Sequence, residues 1–241
     1  MHRPRLRDER GFTLIELLVA MSVGMVVLLA AFMLLDRSFT ASGQIADRQD
    51  ALQRGRQAME LITRQLRSQV CTVPVPPDTG FAPPVVQGLD NSVTFYGSLS
   101  ESSQSVTKRT LAFSGTGAGS ITQTVINGVP SPAYPRMGFT GAGTSTTLLT
   151  NVQQVQDGTP AVNRPVFKYY RYKAGLPKGD LELLGTPLTA DNLGRVALIK
   201  IAFRSFALRP IADDGDSTVL ENDVFVRISD PTEVEEGPQC I

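Results

Sequence analysis

Apolar residues are distributed along this 241-residue chain in three regimes. From Phe12 to Leu35 the chain is apolar on every helical face, and between Gly11 and Leu35 the only charge is Glu16. Those 24 residues, wound as a helix, span about 36 Å, enough to cross the hydrocarbon of a bilayer with some tilt. From Asp36 to Val70 the pattern narrows to a single stripe: Ile45, Leu52, Met59, Ile62, Leu66 and Val70, spaced 7, 7, 3, 4 and 4. Asp47, Arg48, Asp50, Arg54, Arg56, Glu60, Arg64 and Arg67 hold the other faces, so this half is an amphipathic helix whose stripe must lie against something, most simply the rest of the chain. No proline stands between Phe12 and Val73, and both halves read as one helix from about Phe12 to about Val70. Ser42-Gly43, just past the apolar half, is the place where it could bend.

Beyond Cys71 the period changes. Pro74, Pro76, Pro77, Pro83 and Pro84 end the helix and favour extended chain. Strands are then predicted at Ser92–Leu99, Lys108–Ser114, Ser120–Ile126, Val166–Lys173, Asp180–Leu184, Val196–Leu208 and Val219–Ile228. Gly115–Gly119 and Gly175–Gly179 make two of these pairs hairpins, Asn127-Gly128 is a further turn, and Asp191–Gly194 is a helical turn. Residues 130–165, rich in Gly, Thr, Pro and Ser, read as loop-dominated with one short strand near Thr147–Val152: a binding loop or a poorly ordered one. The class is α+β, a long helix followed by an antiparallel β-rich head.

Glu16 is the chemically distinctive residue. A carboxylate inside an apolar span costs a few kcal/mol unless it finds a partner, which makes it a functional candidate. The run is also longer than the apolar region of an ordinary secretory signal, and no small-x-small cleavage site follows it cleanly. Arg3, Arg5, Arg7 and Arg10 precede the span, whereas Asp36-Arg37 follows it in balance, so the N-terminus is expected on the cytoplasmic side and the head outside. A plain single-pass anchor and a buried core helix are the bland alternatives.

The segment Arg10-Gly11-Phe12-Thr13-Leu14-Ile15-Glu16-Leu17-Leu18-Val19-Ala20 resembles the class III signal of type IV pilins and pseudopilins: a basic leader, Gly, Phe, and an apolar helix with Glu at its fifth mature position. The resemblance implies a type IV pilin-like fold with the helix as a spine packed on the head. It divides the chain into a leader (1–11), a transmembrane and filament-core helix (12–35), its amphipathic continuation (36–71) and the head (72–241). It further implies cleavage by prepilin peptidase between Gly11 and Phe12, N-methylation of Phe12, and a filament-assembly role for Glu16, which can pair with the free α-amine of Phe12 in a neighbouring subunit or its own. The implied partners are prepilin peptidase, other major and minor subunits, the assembly machinery and the membrane. Head length and the strand at Val166–Lys173 look most like a large minor pseudopilin of the J or W type, one that initiates or caps a pilus or a type II secretion pseudopilus. The missing helix proline, which many major pilins carry, fits a tip subunit. The alternative is a DNA-uptake or adhesive tip module delivered by the same route.

Composition narrows the chemistry. Of 23 basic and 23 acidic side chains the leader holds four and two, so the mature chain has 19 and 21, a net charge of −2. Nucleic acid is therefore a disfavoured partner over the whole chain, although a local patch is open. The only histidine, His2, lies in the leader, so the mature chain has no histidine for Ser-His-Asp or Cys-His catalysis or for a His-liganded metal, and it is not expected to be an enzyme or to hold a cofactor or metal. Cys71 and Cys240 are the only cysteines; outside the cytoplasm they read as one disulfide, with two free buried thiols as the alternative. Gly115–Gly119 lacks the spacing of a dinucleotide-binding loop and reads as a hairpin turn. Asp213-Asp214-Gly215-Asp216 reads as a solvated turn rather than a calcium loop, since its spacing is not that of an EF-hand. Phe167, Tyr169, Tyr170 and Tyr172 interleave with Lys168, Arg171 and Lys173, a pattern that suits stacking on single-stranded nucleic acid but also follows from strand alternation, which is favoured. Ala20 and Gly24 form a small-xxx-small pair that permits close helix packing.

Overall fold

The computed structural model describes residues 12–75, 80–98, 105–115, 118–133, 135–173, 180–208 and 217–226. The chain divides into two compact units, Met1–Ala46 and Asp47–Ile241, and one helix, α1 (Leu14–Arg67), contributes to both.

In the first unit α1 is continuous, remains helical through Ser42-Gly43, and is exposed at every described residue up to Ala46. It is long and apolar enough to cross a membrane. Ile45, expected on the buried stripe, is 60% exposed, because burial of the helix begins only at Ala51.

In the second unit the buried face of α1 consists of Ala51, Gly55, Ala58, Met59, Ile62, Thr63, Gln65 and Leu66. Leu52 and Val70, both assigned to the stripe, are only half-buried. The strands that follow are β1 (Val73–Pro74), β2 (Val85–Leu89), β3 (Ser92–Gly97), β4 (Thr107–Ser114), β5 (Gly119–Asn127), β6 (Val129–Pro130), β7 (Arg136–Gly138), β8 (Thr144–Gln153), β9 (Gln156–Asp157), β10 (Val162–Asn163), β11 (Phe167–Tyr172) and β12 (Leu181–Leu184). A short helix α2 (Ala190–Leu193) precedes β13 (Leu198–Phe206) and β14 (Ser217–Phe225). Nine of these strands form one antiparallel sheet in the order β12-β11-β13-β8-β5-β4-β3-β2, with β14 also paired to β13. β13 is the branch point: β14 runs along its whole length, while its other edge is shared between β11 at Leu198–Ile201 and β8 at Arg204 and Ser205.

Alternation decides which side chains face the helix. Arg109, Leu111 and Phe113 of β4 and Ile121 and Gln123 of β5 are buried while the residues between them are half-buried. Met59, Ile62 and Leu66 of α1 join Val93, Phe95, Leu111, Ile121, Tyr169, Ile199, Ile201, Phe203 and Val224 in one core. Ile62 is fully buried there, and its truncation to Ala removes contacts worth about 2–5 kcal/mol. A smaller cluster of Tyr96, Val106 and Met137 has Phe139 stacked on Tyr96, ring centroids 4.9 Å apart.

The stretch read as loop-dominated, residues 130–165, contains β7, β9, β10 and the ten-residue β8, which joins β5 to β13. Its first four residues are exposed and only Leu149 and Val152 are buried, so a pattern search sees little apolar alternation. The strand expected near Thr147–Val152 is the second part of β8, whereas β2 was not foreseen; its Gly88 admits Leu188 and Tyr169 into close contact. The two expected hairpins, β4–β5 and β11–β12, are antiparallel pairs as read.

Candidate functional site

The helix start is built by Thr13. It lies outside the helix, its carbonyl accepts the N–H groups of Glu16 at 3.1 Å and Leu17 at 3.2 Å, and its Oγ1 accepts the Glu16 N–H at 3.4 Å. Thr13-x-x-Glu16 has the capping-box spacing, a signal that the sequence carries beside the more conspicuous Glu16. Glu16 stands in the first turn, where the unpaired N–H groups leave partial positive charge favourable to a carboxylate. It has no ion-pair partner among the described residues. Phe12, directly before the cap, is 84% exposed. Gly11 lies outside the described residues. Around Glu16 the exposed side chains Leu14, Ile15, Leu17 and Leu18 present a surface that requires lipid or other apolar helices. Ala20 and Gly24 sit exposed on the same segment.

At the other end of α1 the chain is pinned on both sides of Cys71. Val70 N–H donates to Tyr96 O at 3.1 Å, Gln69 bridges Gly97, Thr72 bridges Ala82, and Thr72 Oγ1 donates to Pro135 O at 2.9 Å. Cys71 is half-buried between these anchors, and no free thiol is found among the described residues. Cys240 lies outside them, as does the Asp213–Asp216 turn.

The aromatic and basic residues of β11 separate by face. Phe167 and Tyr169 are fully buried. The Tyr169 hydroxyl lies 3.1 Å from Leu89 O and 3.0 Å from Ser92 O, and burial holds its ionisation far above the ordinary phenol range. Arg171 pairs with Glu182 at 3.0 Å, while Lys168, Tyr170 and Tyr172 are half-buried on the opposite face. Strand alternation accounts for the interleaving. Gly115, at φ +139°, opens the β4–β5 hairpin and is followed by a strand, not a helix.

Residues 6–32 match the family model described as the prokaryotic N-terminal methylation motif. The match covers Gly11, Phe12 and Glu16 and identifies the N-terminal segment as a prepilin-type signal. No curated protein matches the chain. With the long apolar helix and the antiparallel β-rich head, the architecture is a type IV pilin-like α+β fold, and the motif points to a membrane-anchored structural subunit rather than an enzyme. It also implies processing by prepilin peptidase and assembly with other pilins.

Proposed function

We propose that the chain is a minor pilin or pseudopilin, a low-copy subunit of the J or W kind that initiates or caps a pilus or secretion pseudopilus. The single observation that carries the subunit assignment is a carboxylate at the start of the exposed, otherwise uncharged stretch from Leu14 to Leu35, inside a methylation motif. Cleavage between Gly11 and Phe12 turns Phe12 into a methylated N-terminus. Its cationic amine and the Glu16 carboxylate of a neighbour then form a pair that sets the register of helices in the filament centre, where low dielectric makes an unpaired charge costly. The leader stays cytoplasmic and the head faces out. Cys71 and Cys240 form a disulfide that fastens the end of the chain to the end of the helix, which the absence of a free thiol at Cys71 supports.

Mass spectrometry of the protein from cells with active prepilin peptidase tests these assignments together. The expected N-terminal peptide begins at a methylated Phe12, and non-reducing digestion gives one linked peptide pair containing Cys71 and Cys240. A retained Met1 or a cut after Leu35 overturns the processing site; two alkylatable thiols overturn the disulfide.

A further inference from the structure

A groove of about 540 Å³ runs between the second half of α1 and β14, lined by Arg56, Met59, Arg64, Arg67, Leu220 and Asn222, among others. Two features of it point to the same kind of ligand. The first is charge. Arg56, Arg64 and Arg67 are exposed and have no ion-pair partner among the described residues, and the only acid between them is Glu60. The second is backbone. β14 pairs with β13 along nine residues and with no other strand among the described residues. Asp223 N–H turns away from β13 and donates only to the Oδ1 of its neighbour Asn222, at 2.9 Å. By antiparallel alternation Val219, Glu221, Asp223 and Phe225 direct their N–H and C=O groups to this open edge.

We propose that this groove takes an extended acidic segment of a partner subunit, which adds to the edge of β14 as a further strand. Main-chain hydrogen bonds to β14 supply the pairing, and alternate side chains supply specificity. Carboxylates meet the guanidinium groups of Arg56, Arg64 and Arg67, and apolar residues rest on Met59 and Leu220. Eleven residues of helix from Arg56 to Arg67 rise about 16 Å, the length of about five strand residues, which sets the size of the docked segment. An open edge from Val219 to Phe225 is a liability that proteins normally blunt, and a basic wall beside it selects one class of strand while repelling basic ones.

The chain's own acidic residues Glu233, Glu235 and Glu236 are the rival occupant. A crosslink from the groove distinguishes this occupant from a partner's segment.

The proposal rests on the subunit assignment above, and one experiment separates them. The full chain carrying Glu60→p-benzoylphenylalanine is expressed in its own assembly system, irradiated, and its adducts mapped by mass spectrometry. The expected adduct lies in an extended acidic segment of a co-assembled subunit. Arg56→Glu with Arg64→Glu lowers its yield about tenfold, as does Val219→Pro, which removes an outward N–H and no ladder bond, whereas Arg56→Lys with Arg64→Lys retains most of it. An adduct within residues 227–241 of the same chain, an adduct insensitive to the charge reversal, or none at all overturns the proposal. If the chain is processed and incorporated while the adduct fails, the groove assignment alone falls; if it is never processed or incorporated, the subunit assignment falls and takes the groove with it.

Discussion

Glu16 and Tyr169 show how much a single polar group depends on where the fold places it. Glu16 sits at the N-terminal turn of a helix with only apolar neighbours, so replacing it by Val makes the span more compatible with lipid. Insertion of Glu16→Val into the membrane is therefore expected to be normal, and its recovery in sheared filaments to fall at least tenfold, because the proposed pair with a neighbouring Phe12 amine cannot form. Wild-type recovery of the mutant removes the intermolecular role. Tyr169 is the opposite case: a fully buried phenol whose hydroxyl is shared between two carbonyls. Its ionisation is raised in the folded state by burial, so the sign follows directly. Below about pH 10 the phenol is neutral whether the chain is folded or not, and stability is unaffected; above it the unfolded chain loses the proton first and stability drops. Thermal melts of the full chain in detergent from pH 8 to 11 should show that fall, and Tyr169→Phe should flatten it while costing about 1 kcal/mol at pH 8 for the carbonyl contacts it abandons. An equal fall in both proteins would assign the loss to other groups.

Among the elements, α1 divides into the part that any hydropathy pattern reveals and a part that it does not. Its apolar half, its continuation without proline, and the stripe residues Met59, Ile62 and Leu66 were legible because their period and bulk are the signal. Ala51, Gly55 and Ala58 were not, since small residues carry little hydrophobic weight and their role is close approach. A Cβ at Gly55 would collide with a methyl of Leu220 and stand 3.1 Å from Ser205 Cβ, and Ser205 Oγ donates to Ala51 O at 3.0 Å. The helix is seated on β13 and β14 at this point. Gly55→Val is thus expected to destabilise the second unit by roughly 2 kcal/mol through overpacking, despite losing a glycine from a helix interior. Urea unfolding with an unchanged m-value would measure it, and a neutral result would mean the helix is not tightly seated there. Of β8 only the part at Thr147–Val152 was legible, for a related reason: the strand is held by ladders on both sides, at β5 and β13, and partner strands elsewhere in the sequence leave no mark on local composition. At the candidate site, Glu16 was legible because it breaks a pattern, while Thr13 was hidden by looking like one more small polar residue before a helix.

For the whole molecule the question is position in an assembly. The spine carries a signal for co-assembly with other pilins, yet it lacks the proline that many bulk subunits have, and the second unit adds a nine-stranded sheet. A head of about 170 residues repeated at every step of a thin filament would crowd its neighbours, because helical packing of the spines fixes the spacing of the heads. One copy at an end meets no such limit, and there an exposed face of α1 and an open edge of β14 are free to engage different subunits below. The expected outcome is that quantitative proteomics of sheared filaments finds this chain at no more than about one-hundredth of the major subunit. Deleting it should reduce filament number without changing filament diameter, since a starting or capping subunit governs how many filaments form and not how each is built. If the chain proves to be the most abundant subunit, it is a bulk component and the tip assignment is lost. If the purified protein binds single-stranded DNA at physiological salt and the half-buried face of Lys168, Tyr170 and Tyr172 is required, then capture of nucleic acid replaces initiation as its role.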